Sequence, residues 1–489
     1  MTNYYDTFIE NTEQGVKNNY MSQSRETRLL KNTIIYTISN FGSKILTFLI
    51  VPLYTFYLTT SEFGIYDTIL SIINLLAPLC VLAIHEGLLR WLLKSNEKHE
   101  EIIGSGLLLL LLFVFITDLI ASAVCKFLRW QYTCVFVVLM TVTALHTSFQ
   151  FIARGEKKNK VFALSGLIYT IIVLALNVIF IVHFRFGVKG MLWSMAAAHI
   201  CVIVYLFVML RKQLELKKMK FNRKLAMTMV IYSVMLVPNN ISWWVMNASD
   251  RILLTTMVGA ATTGIFSLAH KFPSVVTILH TLFYQAWQEQ AVLEYESESR
   301  DYYYTTVFNN YMKLACCAVT LLIPLSKLII VFFMDQSYSD SYNYVGLLYL
   351  GSLFSSFSGF YGTGYISSKD TKEAMKTTIV GAVINIIIDV LFIPIIGIWA
   401  ACISTVCGNL IVWIMRIKNT RKYFKISVDW KIFAIVMSVN VLFTIVVCFA
   451  NTVLLLIMSG IAIGLTLEIN KKMVYSNLKF IKRKAGVWR

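Results

Sequence analysis

Lys44 stands in the middle of an apolar run, where holding a charge costs at least ~2.5 kcal/mol. Such a residue calls for a water-filled cavity or a partner. It can contact a phosphate-bearing ligand, for which an ammonium is a compact point charge, or pair with an acid on another helix. Lys271 beside His270 poses the same alternatives, with snorkelling to the interface as a third. Pro273 follows them and is placed to break a helix and free carbonyls. His270 reads as a packed side chain. Glu86 and Arg90 are four residues apart, a spacing that shares one helix face and forms an intrahelical ion pair. With His85 they alternatively supply a gate charge or a substrate contact at an inner mouth. Asp250-Arg251 follows a polar stretch and reads as a lock between two halves at a helix end, or as a solvated turn. Asp118 and Asp389 are carboxylates at membrane depth, suited to a coupling proton or cation. Asn40, Asn240 and Asn247 are polar positions within apolar segments. The candidate substrate-binding set is therefore Lys44, Lys271, Arg90, Asn40, Asn240 and Asn247. The gating or coupling set is Glu86, Asp250, Arg251, Asp118 and Asp389. Lys313 and Lys327 read as structural or snorkelling, and Trp243-Trp244 as an interfacial or cavity-wall pair.

Nothing in the sequence forms a Walker loop, a nucleophile with paired carboxylates, or a metal-ligand cluster. The nine cysteines lie in or beside apolar runs without CxxC spacing and read as small core residues. No catalytic residue, metal or cofactor is expected, and the chain is not expected to be an enzyme or to be driven by ATP. The energy source its carboxylates allow is a proton or sodium gradient.

The elements that hold these residues follow from composition. The chain has 489 residues, 57% hydrophobic and only 14% charged, with mean hydropathy +0.67. That balance excludes a disordered chain, a nucleic-acid-binding domain and an ordinary soluble enzyme, and leaves an all-α polytopic membrane protein. Windows of roughly 20 apolar residues mark about fourteen spans: 32–57, 63–93, 102–125, 131–153, 161–184, 187–210, 225–249, 262–293, 306–334, 342–366, 374–394, 397–417, 431–450 and 452–469. Residues 1–24 hold no apolar signal region, so the first span is expected to act as its own insertion signal. The net charge of +18 reads as positive-inside topology rather than nucleic-acid binding. With the N-terminus inside, inner segments carry 34 Lys and Arg, whereas outer ones carry five: Lys126, Arg129, Arg185, Lys189 and Arg251. Both termini are thus expected to be cytoplasmic. No connector is long enough for an outer domain, which weighs against a membrane glycosyltransferase or polymerase.

An internal repeat with an offset near 200 places Asn40 over Asn240 and Gly64-Ile65-Tyr66 over Gly264-Ile265-Phe266. Basic stretches 211–224 and 416–431 each close six spans. Six is even, so the copies form a parallel repeat about a pseudo-two-fold axis along the membrane normal, with a substrate site between them. The expected division is a cytoplasmic tail 1–31, an N-lobe 32–210, a basic linker 211–224, a C-lobe 225–417, a basic linker 418–430, spans thirteen and fourteen at 431–469, and a basic tail 470–489.

The runs Lys31-Asn-Thr-Ile-Ile-Tyr-Thr-Ile-Ser-Asn-Phe-Gly-Ser-Lys44, Val51-Pro-Leu-Tyr-Thr55 and Glu62-Phe-Gly-Ile-Tyr66 resemble the start of bacterial polysaccharide-biosynthesis flippases. These belong to the multidrug/oligosaccharidyl-lipid/polysaccharide exporter superfamily. Arg154-Gly155, Asn247-Ala-Ser-Asp-Arg251, Gly264-Ile-Phe266 and Gln285-Ala-Trp287 are similar to the same family. The resemblance implies a flippase of undecaprenyl-pyrophosphate-linked oligosaccharides for O-antigen, capsule or exopolysaccharide. It implies two six-helix lobes around a cationic cavity, alternating between inward-open and outward-open states in the bacterial cytoplasmic membrane. Its partners would be the lipid-linked oligosaccharide, membrane lipids, and the glycosyltransferases and polymerase of the same pathway; none is a nucleic acid. An ion-coupled exporter of organic cations is the alternative, against which cavity cations argue.

Overall fold

The computed structural model describes residues 46, 48–94, 98–214, 219–368 and 370–486. Among them the regular elements are all helical. The α-helices in order are α1 (Val51–Tyr57), α2 (Thr60–Cys80), α3 (Ile84–Lys94), α4 (His99–Phe127), α5 (Thr133–Gly155), α6 (Asn159–Asn177), α7 (Gly187–Met209), α8 (Arg223–Val234), α9 (Val237–Met257), α10 (Ala260–Lys271), α11 (Ser274–Leu293), α12 (Arg300–Phe333), α13 (Tyr342–Ser367), α14 (Thr371–Ile396), α15 (Ile398–Thr420), α16 (Trp430–Phe449) and α17 (Thr452–Gly486), with a π-helical turn at Val178–His183 and a 3-10 helix at Gln336–Ser341.

Eleven helical segments are long and apolar enough to cross a membrane, and the protein is a multi-pass membrane protein. Three of the fourteen expected spans are not among the eleven, each for its own reason. The first falls largely outside the described residues. The eighth is interrupted between Lys271 and Ser274, at Phe272-Pro273, giving α10 and α11; proline lacks the N–H and clashes with the preceding turn. The tenth is α13, rich in Gly, Ser and Tyr. Its Tyr349, Phe357, Phe360, Tyr361 and Tyr365 are buried among other helices, and a helix shielded from lipid need not be apolar all round.

Two further spans are discontinuous. Between α2 and α3, Leu82 and Ala83 adopt left-handed backbone angles. The Ala83 N–H donates to the Pro78 carbonyl at 2.9 Å, closing the end of α2 as a C-terminal cap. The seventh span was expected at 225–249. It instead runs from Arg223 to Met257 as α8 and α9, separated just before Pro238, which takes the first turn of α9. Asp250 and Arg251 therefore lie inside a helix, not in a turn after it, and Arg251 leaves the outer-loop count.

α2 to α7 pack on one another, and α9 to α15 form a second group; α16 and α17 lie against α12. The groups meet where α2 packs on α9 and α10. The short α8 lies against α3 and α4 of the first group. Large apolar side chains along α4, such as Leu108, Leu111, Phe115 and Leu119, face outward, as a lipid-facing surface requires.

Candidate functional site

The seam between the two groups begins with glycine. A Cβ on Gly64 of α2 would lie 1.9 Å from the Ala260 carbonyl oxygen and 2.7 Å from the Gly264 nitrogen. A Cβ on Gly264 of α10 would lie 1.9 Å from the Thr60 carbonyl oxygen. The two helices therefore touch backbone to backbone, the approach that small residues permit in membranes. Gly64 and Gly264 are equivalent in the repeat, as are Thr60 and Ala260. The contact is reciprocal, as a two-fold relation demands.

One turn further along α2, Asp67 is buried and receives two cations from the opposite lobe. The Arg251 Nε–H of α9 donates to Asp67 Oδ2 at 2.5 Å, and Lys271 Nζ of α10 donates to Oδ1 at 3.4 Å. Arg251 also donates to the Asn247 carbonyl at 2.8 Å and sits 5.6 Å from the Phe266 ring centre. Lys271 lies 5.9 Å from the Phe63 ring and keeps 31% of its side chain exposed, against 9% for Arg251. Neutral bonds flank this triad. Thr68 and Thr255 hydroxyls are 2.6 Å apart, and Trp244 Nε1–H donates to the Ser71 carbonyl at 2.7 Å.

A second polar site lies wholly within the α9–α15 group. Asp250 of α9 and Asp389 of α14 face one another and are both buried. Thr405 of α15 donates to Asp250 Oδ2 at 3.1 Å, and Asn385 donates to the Ser404 hydroxyl at 3.0 Å. Asp250 Oδ1, both carboxyl oxygens of Asp389 and the Asn385 carbonyl oxygen have no hydrogen-bond donor among the described residues. Buried oxygens of this kind are costly unless a proton or cation meets them. The donor set is all oxygen, suited to a hard cation.

The other expected site residues are dispersed. Lys44 and Asn40 lie outside the described residues. Arg90 does not pair with Glu86. Its guanidinium stacks on Tyr232 of α8, 4.4 Å from the ring centre, while Glu86 lies within electrostatic reach of Arg154 on α5. Same-face spacing allows the pair, but the aromatic face of α8 competes for the arginine. Asp118 accepts from the Thr141 hydroxyl at 2.7 Å. Asn240 is half-buried and Asn247 exposed, the latter donating to its own helix at the Trp243 carbonyl. Lys327 is buried and donates to the Val447 carbonyl at 2.7 Å; Lys313 pairs with Asp429 at 3.7 Å. His270 tilts against Phe266. His85 packs edge-on to Phe151.

Sequence reasoning gave no role to Asp67, Asn385, Ser404 or Thr405. Asp67 had a signal, since a carboxylate seven residues past a helix start within an apolar run is functional by default. The other three are neutral and common in membrane helices, so only their convergence reveals them. The first lobe also holds an unforeseen histidine pair, His146 and His199, with Nδ1 atoms 2.7 Å apart.

The family described as polysaccharide biosynthesis proteins matches residues 29–288. No curated protein matches the sequence. Among solved structures, the chain is similar to the lipid II flippase MurJ in an inward closed conformation, with TM-score 0.68 and 14% identity over 91% of this chain and 99% of that one. It is also similar to an inward-facing multidrug resistance MATE family transporter of the MOP superfamily, with TM-score 0.62 and 14% identity over 79% of this chain and 94% of that one. A MOP superfamily transporter from Pyrococcus furiosus gives TM-score 0.59 and 14% identity over 80% and 94%. At these identities the likeness is one of fold.

Proposed function

The chain belongs to the polysaccharide biosynthesis protein family, and on that premise we propose that it is a flippase for undecaprenyl-pyrophosphate-linked oligosaccharide repeat units. It turns them from the inner to the outer leaflet of a bacterial cytoplasmic membrane by alternating access. The observation that carries this reading is the meeting of Arg251 and Lys271 at the seam between the lobes, with Lys271 partly exposed. Two cations there attract a pyrophosphate and repel organic cations. The positive-inside rule puts the basic segments 211–224 and 416–431 on the cytoplasmic face. The seam, at the opposite end of α2 and α10, then closes the outer side.

Asp250 and Asp389 take the coupling ion, a proton or Na⁺. Asp250 precedes Arg251 on α9, so a change of charge in the acid pocket is felt one residue from the seam. The oligosaccharide comes from glycosyltransferases on the inner face and passes to a polymerase on the outer. The test is a flipping assay in proteoliposomes with lipid-linked glycans, with and without proton and sodium gradients. Translocation that follows a gradient supports the reading. Efflux of organic cations without glycan flipping replaces it with the exporter.

A further inference from the structure

We propose that Asp67 is an internal stand-in for the phosphate of the substrate, holding the outer seam shut until a pyrophosphate head group displaces it. This rests on the flippase reading and adds the device that ties opening to loading.

Asp67 gives one carboxylate oxygen to Arg251 and the other to Lys271, the same two-oxygen, two-cation arrangement a phosphate makes. The three charges sit on different lobes: Asp67 on α2, the cations on α9 and α10. Parting the lobes at the glycine contact carries α2 away from both cations. It would leave Arg251 and Lys271 without a counter-charge in a buried site, which is strongly disfavoured. An unloaded protein therefore stays shut.

The two bonds are unequal, and the difference sets an order. Lys271 has the longer contact, 3.4 Å against 2.5 Å, and the more exposed side chain. Its backbone lies seven residues, about 10 Å at 1.5 Å per residue, along α10 from Gly264, below the glycine contact. An anionic head group rising through a cavity open to the inner face meets Lys271 first, then Arg251. Asp67, relieved of both partners, is free to leave with its lobe. A replacement with two or more negative charges offsets the two cations more fully than the single charge of Asp67, which favours a pyrophosphate over a less charged or neutral head group. The ligand moves the equilibrium only by its difference in affinity for the two states. Asp67 creates that difference by competing in the shut state alone.

The experiment uses the full chain in nanodiscs with spin labels at Ser61→Cys and Ala261→Cys in a cysteine-free background. The probes are farnesyl pyrophosphate, farnesyl monophosphate and inorganic pyrophosphate. Farnesyl pyrophosphate should lengthen the label distance, and farnesyl monophosphate, with about −1.5 to −2 charge at neutral pH, should do so only at higher concentration. Inorganic pyrophosphate should act only at higher concentration if the ligand arrives as a lipid, and equally well if free anion suffices. Asp67→Asn should show the long distance without ligand and bind farnesyl pyrophosphate about tenfold tighter, a coupling of ordinary size. Asp67→Glu should behave as the parent. If Asp67→Asn does not fold, the double variant Asp67→Asn/Arg251→Gln removes the buried pair together and leaves only the partly exposed Lys271 without its carboxylate. Its label distance should no longer respond to the probe. Unchanged distance and affinity in Asp67→Asn, or a normal response in the double variant, overturns the proposal. If Lys271→Gln then still weakens binding, the flippase reading survives alone. If neither Lys271→Gln nor Arg251→Gln changes affinity for any probe, the flippase reading of these cations falls instead.

Discussion

Asp67 and the Asp250–Asp389 pair are carboxylate sites served by one helix, yet their electrostatics are opposite. Asp67 is met by two cations from the other lobe. The acid pair has hydrogen-bonding neighbours that are neutral, Thr405, Ser404 and Asn385, with Arg251 within electrostatic reach of Asp250 but forming no ion pair with it, and three of its four oxygens lack a donor among the described residues. Asp250 and Arg251 are consecutive on α9, and consecutive helical residues point about 100° apart. One therefore turns into its own lobe and the other across the seam. A neutralised carboxylate holds parts together; an unneutralised pair awaits a proton or cation. The contrast separates a lock from a site that can be charged and discharged.

The contrast breaks most visibly at Asp389. Asp389→Asn should lower gradient-driven flipping by on the order of 100-fold, within the range of site–site coupling, while the protein still folds. Full gradient-dependent activity in that variant would remove the acid pair from energy coupling. At the other site, Arg251→Met leaves Asp67 with Lys271 alone. Breaking a buried pair costs about 3–5 kcal/mol, to be read as a fall in unfolding temperature in detergent. A shift no larger than that of an exposed-site control would mean the seam is not held by charge. Gly64→Ala tests the seam without touching charge. Its methyl meets backbone at 1.9 Å, and overpacking of this kind costs about 1–3 kcal/mol, so the shut state should lose population in label-distance measurements.

Smaller effects sharpen the picture. Trp244→Phe deletes one neutral bond to Ser71 across the seam and should cost about 1 kcal/mol, well short of Arg251→Met. Asp370, which caps the start of α14 outside the membrane-spanning part and contacts Lys422 and Tyr423, supplies a charged contact outside both sites. The Tyr423 hydroxyl and Lys422 hold its carboxyl below the usual carboxylate range. A lowered folded value means its contribution is present above that range and lost as pH falls through it. Asp370→Asn should abolish this small acid-side dependence of stability, with no effect on flipping at neutral pH.

Much of the fold was legible because hydropathy is local. The spans, the repeat offset and the Gly64/Gly264 correspondence all came from residues read in order. The depth of Lys271 and Asp389 in apolar runs marked them as well, whereas Asp250 and Arg251 were read as lying just past a span and are inside its helix. The eighth-span break at Pro273 was legible too, since a missing N–H needs no tertiary partner to interrupt a helix. Span-edge placement failed at the seventh span, where a polar run ending near Ser249 concealed a helix that continues to Met257. Partnership was not legible at all. Spacing offered Glu86 to Arg90, yet Tyr232 takes the arginine. Arg251 and Asp67 are 184 residues apart, Lys271 and Asp67 are 204 apart, and Thr405 and Asp250 are 155 apart. Sequence by itself determined that charges such as Lys271 and Asp389 lie at membrane depth, because the energy of burying them depends on the apolar run around each. Only the tertiary structure decided which charge meets which. That depends on the rotation of each helix about its own axis, set by packing as close as two glycine backbones in contact.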